Sequence, residues 1–152
     1  MDTIDLKIIT ELQNNARIPL KNLAEKVFLS SPATAARIER LEKSGIIMGY
    51  SAKIDLKKAG LPITAFVKLD LDPKQKPTFY PYVKAHPNIL ECNCITGRYS
   101  QLLKVVFEST EALDTFIGEI NAYGQTETQI SFSSPKLHTE AGLEEIEKRK
   151  SR

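Results

Sequence analysis

Cysteine is scarce in this 152-residue sequence: there are only two, Cys92 and Cys94, one residue apart in an apolar stretch. On a strand both would point to the same face, a geometry that rarely closes a disulfide, so a disulfide framework is not expected and a reducing compartment is. Histidine is equally rare, at His86 and His138. Zinc needs about four converging ligands, and these two histidines with the Cys-x-Cys pair supply no recognised spacing. The thiols therefore read as buried structural groups, and no metal or other cofactor is called for. No apolar run approaches the roughly 18 residues of a membrane span, and the polar start "MDTIDLKIIT" lacks the basic-then-apolar order of a secretion signal. The expected location is the cytoplasm, with no membrane partner. Paired carboxylates, a nucleophile elbow and a phosphate-cradling glycine loop are all missing, so nothing supports an enzyme.

What is present is a composition ordinary for a globular protein, 41% hydrophobic and 26% charged, with a formal net charge of only +2. The charge is unevenly spread. Residues 1–58 carry seven lysines and three arginines against three aspartates and four glutamates, an excess that points mildly to a polyanion in the amino-terminal part.

Ile4, Ile8, Ile9, Leu12 and Ala16 form a helical stripe that Asp2 or Thr3 can cap, and "NNARIP" breaks it. Leu20, Leu23, Ala24 and Val27 form a second, short stripe. After "FLS", Ser31 is placed to cap a third helix, Pro32 suits its first position and Gly45 its end. At 100° per residue Thr34, Ile38 and Leu41 share one face, while Pro32, Ala36, Arg40 and Lys43 lie opposite, with Ala33 beside them and Arg37 on the boundary. "IIMGYSAKID" reads as a strand or short ribbon, and "LKKAGLP" as a linker.

The second half reads βαββαβ. "ITAFVKLDL" is a strand; Thr78 caps a short helix through Ala85, with Pro81 tolerated in its first turn; "ILECNCIT" and "QLLKVVFE" are strands around the turn "GRYS". A helix capped by Ser109 follows, and "QTETQISFS" is the last strand. That order is the ferredoxin-like split βαβ, an antiparallel sheet with both helices on one face. Since Val67, Leu69, Cys92, Cys94, Val105 and Phe107 are apolar whichever face they take, a second copy is expected on the bare face, giving a dimer. The tail has a helical charge pattern. The expected organisation is a helical unit with its connecting strand over residues 1–58, a βαββαβ unit suited to oligomerisation over 59–140, and a tail over 141–152.

The short turn between helices two and three has helix-turn-helix spacing. By itself that is a weak signal, and the alanines could serve helix propensity alone. Bare side chains opening "SSPATAARIERLEKSG" (residues 30–45) nonetheless suit a helix that must approach base edges in a groove about 12 Å wide. Ser31, Pro32, Ala33 and Ala36 permit approach, Arg40 reaches a base edge, and Ser30, Arg37 and Lys43 hold phosphates.

Ile4, Asp5, Ile8, Ile9 and Leu12, then Ala16-Arg17, Leu23-Ala24, Leu29-Ser30, Arg37-Ile38, Arg40-Leu41-Glu42, Gly45-Ile46-Ile47 and Gly49-Tyr50 follow the signature of the leucine-responsive and asparagine regulators. "ECNCITG" matches the same family's second domain, so the chain resembles the Lrp/AsnC transcription regulators over nearly its whole length. The resemblance implies an α+β protein with an N-terminal winged helix-turn-helix followed by a ferredoxin-like, ACT-like domain. It implies double-stranded DNA as partner, association of the chain with itself into dimers and a tetramer of dimers, an amino-acid effector and a nucleoid-associated location. Two positions depart from the family pattern. Phe28 stands where glycine is usual, which predicts a different turn backbone or an aromatic planted under the helices. Ser100 replaces the acidic residue of the effector turn, and a hydroxyl offers an ammonium no charge-assisted bond. Gly97, Arg98 and Ser100 are the candidate effector residues, with Arg98 available to a carboxylate. An architectural DNA-wrapping protein without effector response, or an amino-acid-binding assembly module without DNA binding, are the alternatives.

Overall fold

The computed structural model describes residues 1–134 and Leu143. Contacts divide the chain after Lys53, five residues before the division read from composition; Met1–Lys53 belongs to the first unit and Ile54–Pro135 forms the second.

The first unit is built from α1 (Thr3–Asn14), α2 (Leu20–Val27) and α3 (Ser31–Lys43). Ile8, Ile9, Leu23, Val27 and Leu41 are its buried centre, with Ile4, Leu12, Ile38 and Leu143 packed around them. The apolar stripes of all three helices meet here, as their spacing requires. Helix α1 stops at Asn14, so Ala16 falls outside it and is exposed. A reciprocal capping box opens α1: Asp2 Oδ1 accepts from the Asp5 N–H at 2.8 Å, and Asp5 Oδ2 from the Asp2 N–H at 3.0 Å. Gly45, at φ 74°, closes α3 in a Schellman motif, where the Gly45 N–H reaches the Glu42 carbonyl and the Ile46 N–H that of Leu41. The strand expected at "IIMGYSAKID" does not form among the described residues. The segment finds no partner strand, and Met48 and Ile54 are exposed instead.

The second unit contains β1 (Ile63–Leu71), α4 (Lys76–Ala85), β2 (Ile89–Cys94), β3 (Gln101–Phe107), α5 (Thr110–Ile120) and β4 (Gly124–Ser131). The sheet is antiparallel in the order β2-β3-β1-β4, the ferredoxin-like arrangement. Ala65, Val67, Leu69 and Leu71 alternate onto one face, join Leu103, Val105 and Phe107 across the β1–β3 ladder, and bury against Phe79 of α4 and Leu113, Phe116 and Ile120 of α5. Helix α4 begins at Lys76 after a single 3-10 turn capped by Asp72, so Pro81 lies in its interior rather than its first turn. Gly124 opens β4 at φ 154°, where an added Cβ would sit 1.9 Å from the Asp70 carbonyl oxygen. Phe132 lies past the end of β4 and is exposed.

The opposite face of the sheet differs from the sequence expectation. Val67, Leu69, Val105 and Phe107 are all spent under the helices, and Cys92 packs against the same core. The uncovered face is left to the alternate residues, Phe66 and Leu102 beside the cross-strand ion pairs Lys68–Glu127 (2.7 Å) and Lys104–Glu91 (3.2 Å).

Candidate nucleic-acid interface

Helix α2 ends at Phe28 in the left-handed region, φ 57° and ψ 43°, and the Phe28 and Leu29 N–H groups return to the carbonyls of Glu25 and Ala24. The chain turns there and enters α3 three residues later. Phe28 thus adopts the conformation that glycine would take, and its side chain goes out into solvent, 86% exposed, rather than under the helices. Ser30, not Ser31, is the N-cap: its Oγ accepts from the Ala33 N–H at 3.3 Å, and its carbonyl accepts from Thr34. Pro32 is consequently the second helical residue, where its missing N–H still costs nothing.

Thr34 and Leu41 face the core, as the helical wheel requires. Ser30, Pro32, Ala33, Ala36, Arg40 and Lys43 are exposed, and Ser31 and Arg37 are half-buried. All the residues singled out on this helix therefore fall outside the buried stripe.

The cations are not free. Arg37 Nη1 donates to Asp2 Oδ2 at 2.7 Å and to Asp5 Oδ1 at 2.8 Å; Arg40 Nη2 donates to both oxygens of Asp5 at 2.8 Å. Lys43 pairs with Glu39, one turn back, at 2.6 Å. Asp5 is 1% exposed, so two guanidinium groups and a helix cap converge on one buried carboxylate. Its burial works to raise the carboxyl, but the Asp2 N–H and the Arg37 guanidinium hold it below the usual range. Asp2, bonded first by Arg37 and then by the Asp5 N–H, is pulled down to about 2. Arg40 nevertheless keeps a side chain 60% exposed, and only its Nη2 is bonded to Asp5.

Asp5 is the residue that sequence reasoning missed as part of the site. The available signal is its place on the inward stripe of α1, three and four residues before Ile8 and Ile9, where a charge must be paired.

In the second unit, the effector turn is used structurally. The Ser100 N–H donates to the Leu69 carbonyl at 3.0 Å, and its hydroxyl oxygen accepts from the Leu71 N–H at 3.2 Å, tying the turn to β1. Arg98 is exposed, with its guanidinium over the Tyr99 ring at 5.3 Å, and Lys68 lies over the same ring at 5.9 Å. Gly97 takes φ 108°. Among the described residues Arg98 is not hydrogen-bonded to Ser100. The thiols of Cys92 and Cys94 both reach the Gln101 amide, at 3.6 and 3.5 Å. Cys92 is half-buried, which raises its thiol above the usual range, but Cys94 is exposed, contrary to a wholly buried pair. His86 packs on Phe116 and Tyr82, and His138 lies outside the described residues. No cluster of three metal-ligating side chains occurs among the described residues.

Residues 1–48 match a winged helix-turn-helix DNA-binding family model, and residues 64–141 match the Lrp/AsnC ligand binding domain. The chain belongs to the Lrp/AsnC family. It is accordingly a helix-turn-helix, DNA-binding transcription regulator of α+β fold with a ligand-binding second domain. This Lrp/AsnC chain is 39% identical to the uncharacterized HTH-type transcriptional regulator YezC of Bacillus subtilis, over 91% of its own length and 98% of YezC. To the B. subtilis regulator LrpC it is 38% identical, over 88% and 92% of the two chains. The solved structure of LrpC superposes with a TM-score of 0.86 at 36% identity, covering 91% of this chain and 99% of that one. A Neisseria meningitidis transcriptional regulator in complex with L-Met superposes equally well, at 0.86, with 26% identity and coverage of 91% and 94%. No helix among the described residues is long and apolar enough to cross a membrane.

Proposed function

We propose that this Lrp/AsnC regulator reads DNA sequence with the outward face of α3. The observation that carries the reading is the exposed run of small side chains at the capped end of α3, followed one turn on by an arginine whose guanidinium is held at a buried carboxylate. Ser31, Pro32, Ala33 and Ala36 let the helix approach the base edges of a major groove. Arg40 reads an edge with the donors that Asp5 leaves free, and Ser30, Arg37 and Lys43 contact phosphates. Because Arg37 and Lys43 already have acidic partners, each phosphate contact replaces an internal ion pair, which makes binding depend on shape as much as on bulk charge.

Two copies joined through the open sheet face, around Phe66 and Leu102, would present two α3 helices to half-sites about one helical turn, or a multiple of it, apart. Further association into a tetramer of dimers would wrap the DNA. In the cytoplasm such an assembly sits on the nucleoid. The effector is an amino acid at the turn Gly97–Ser100, with Arg98 taking its carboxylate. The L-Met complex of the Neisseria neighbour supports that class of ligand, and the absence of a carboxylate at Ser100 favours the architectural alternative instead.

Affinity for a selected and for a random duplex, titrated against salt, tests the DNA reading. Discrete footprints with a steep salt dependence on random DNA are expected. Absence of any retarded complex at low salt overturns the reading in favour of an assembly module. A thermal-shift screen of the twenty amino acids tests the effector: a stabilised protein supports it, and silence supports the architectural reading.

A further inference from the structure

Phe28 is the only non-glycine residue with a positive φ among the described residues, and it is also one of the most exposed large apolar side chains, at 86%. Each property is unfavourable by itself. The left-handed conformation crowds a Cβ against the backbone, and glycine would relieve it. The apolar contact that commonly completes this kind of helix end is made by the next residue, Leu29, which packs on the core of the first unit. The Phe28 ring has no aromatic or cationic partner among the described residues. Neither the turn nor the core therefore uses the ring, and strain at an exposed position calls for a use outside the folded chain.

Its position limits what that use can be. Phe28 is two residues before the N-cap of α3, so its Cα lies within about 7.6 Å of that of Ser30, roughly two base-pair steps along a duplex. Glu25, Lys26 and Ser30 are exposed near it in the chain, and one aromatic ring beside them is too small to anchor a protein partner. The major groove of DNA offers one small apolar group, the C5-methyl of thymine, and aromatic side chains are suited to it.

We infer that Phe28 is a specificity-determining residue that packs against a thymine methyl at the edge of each half-site, beside the bases read by α3. The inference rests on the proposed DNA reading and adds to it a contact made from the turn rather than from the helix. Glycine or asparagine at this position keeps the turn, since both accept the left-handed conformation, and removes only the ring.

The test uses the full chain and a duplex recovered from a randomised pool, with each thymine replaced in turn by deoxyuridine, which differs by the methyl alone. The wild-type chain should lose about fourfold in affinity at one thymine per half-site, the worth of one buried methyl. Phe28→Asn and Phe28→Gly should bind the thymine and uracil duplexes alike, at the wild-type affinity for uracil. Melting curves establish that both variants are folded. If the variants keep the wild-type sensitivity to uracil, or the wild type has none, the inference falls while the DNA reading stands. If no duplex is recovered at low salt, the DNA reading falls and takes the inference with it. A change of oligomeric mass in Phe28→Asn would assign the ring to a second copy of the chain and also overturn the contact.

Discussion

Arg40 gives one nitrogen, Nη2, to both carboxylate oxygens of Asp5 at 2.8 Å, so the most exposed arginine of α3 is anchored to the most buried acid of α1. The pairing fixes a side chain that would otherwise sample many rotamers, and it costs net positive charge on the outward face of α3.

Asp5→Asn should separate these two effects. The fold of the first unit should weaken by about 2 kcal/mol, since a buried charged hydrogen-bond acceptor is lost. Binding to random duplex should strengthen, with a salt slope steeper by about one contact, because a cation is released. The ratio of selected to random affinity should fall. Urea unfolding reads the first and paired gel-shift titrations at several salt concentrations read the other two, and an unchanged ratio would remove the positioning role of Asp5.

Acid should unfold the first unit over a defined window. Both aspartates titrate below their ordinary value near 4, Asp2 at about 2 and Asp5 lowered, so the stability they supply is complete above that ordinary value and is lost as pH falls through the folded values. Hydrogen exchange of amides in α1, α2 and α3 should be insensitive to this linkage from pH 7 to about 5, once intrinsic rates are removed, and protection should decline between about 4 and 2. Asp2→Asn retains a capping side chain and should flatten that decline; an unaltered profile would show that the Arg37 contact does not act on Asp2.

Phe28→Gly should raise stability rather than lower it. Relief of a left-handed phenylalanine outweighs the extra entropy of glycine in the unfolded chain by about 0.5–1 kcal/mol. Urea unfolding followed by circular dichroism measures it, and a destabilised variant would mean that the ring packs in solution.

Gly124→Ala should do the opposite in the second unit. Its φ of 154° and the 1.9 Å approach of a Cβ to the Asp70 carbonyl leave the β1–β4 corner no room, so a loss of about 2–3 kcal/mol is expected, with the damage confined to amides of β1 and β4 in hydrogen exchange.

The elements were legible where periodicity and capping agreed. Ile8, Leu23, Leu41 and the alternating Ala65, Val67, Leu69 and Leu71 announce their burial by spacing, and the βαββαβ order follows from turns and strand lengths. Local signals competed less clearly at helix starts. Ser30 and Ser31 are both good caps, and only the Ala33 and Thr34 bonds single out the first. The segment after α3 is rich in β-formers, but a strand needs a partner, which composition cannot supply. Long-range pairing was the least legible feature: nothing in the spacing of Asp2, Asp5, Arg37 and Arg40 says that they meet, because the contact spans 35 residues and depends on how α1 crosses α3.

The central claim is that the bare face of α3 enters the DNA groove, and Ala36 tests it most directly. Ala36 is exposed on α3 and presents only a methyl group there, so Ala36→Glu should leave the melting temperature within the small range of surface changes. In the groove, however, its carboxylate would repel phosphates and compete for Arg40 one turn on, and affinity for the selected duplex should drop by on the order of a hundredfold. A folded Ala36→Glu variant that binds the selected duplex as tightly as the wild type would contradict the account.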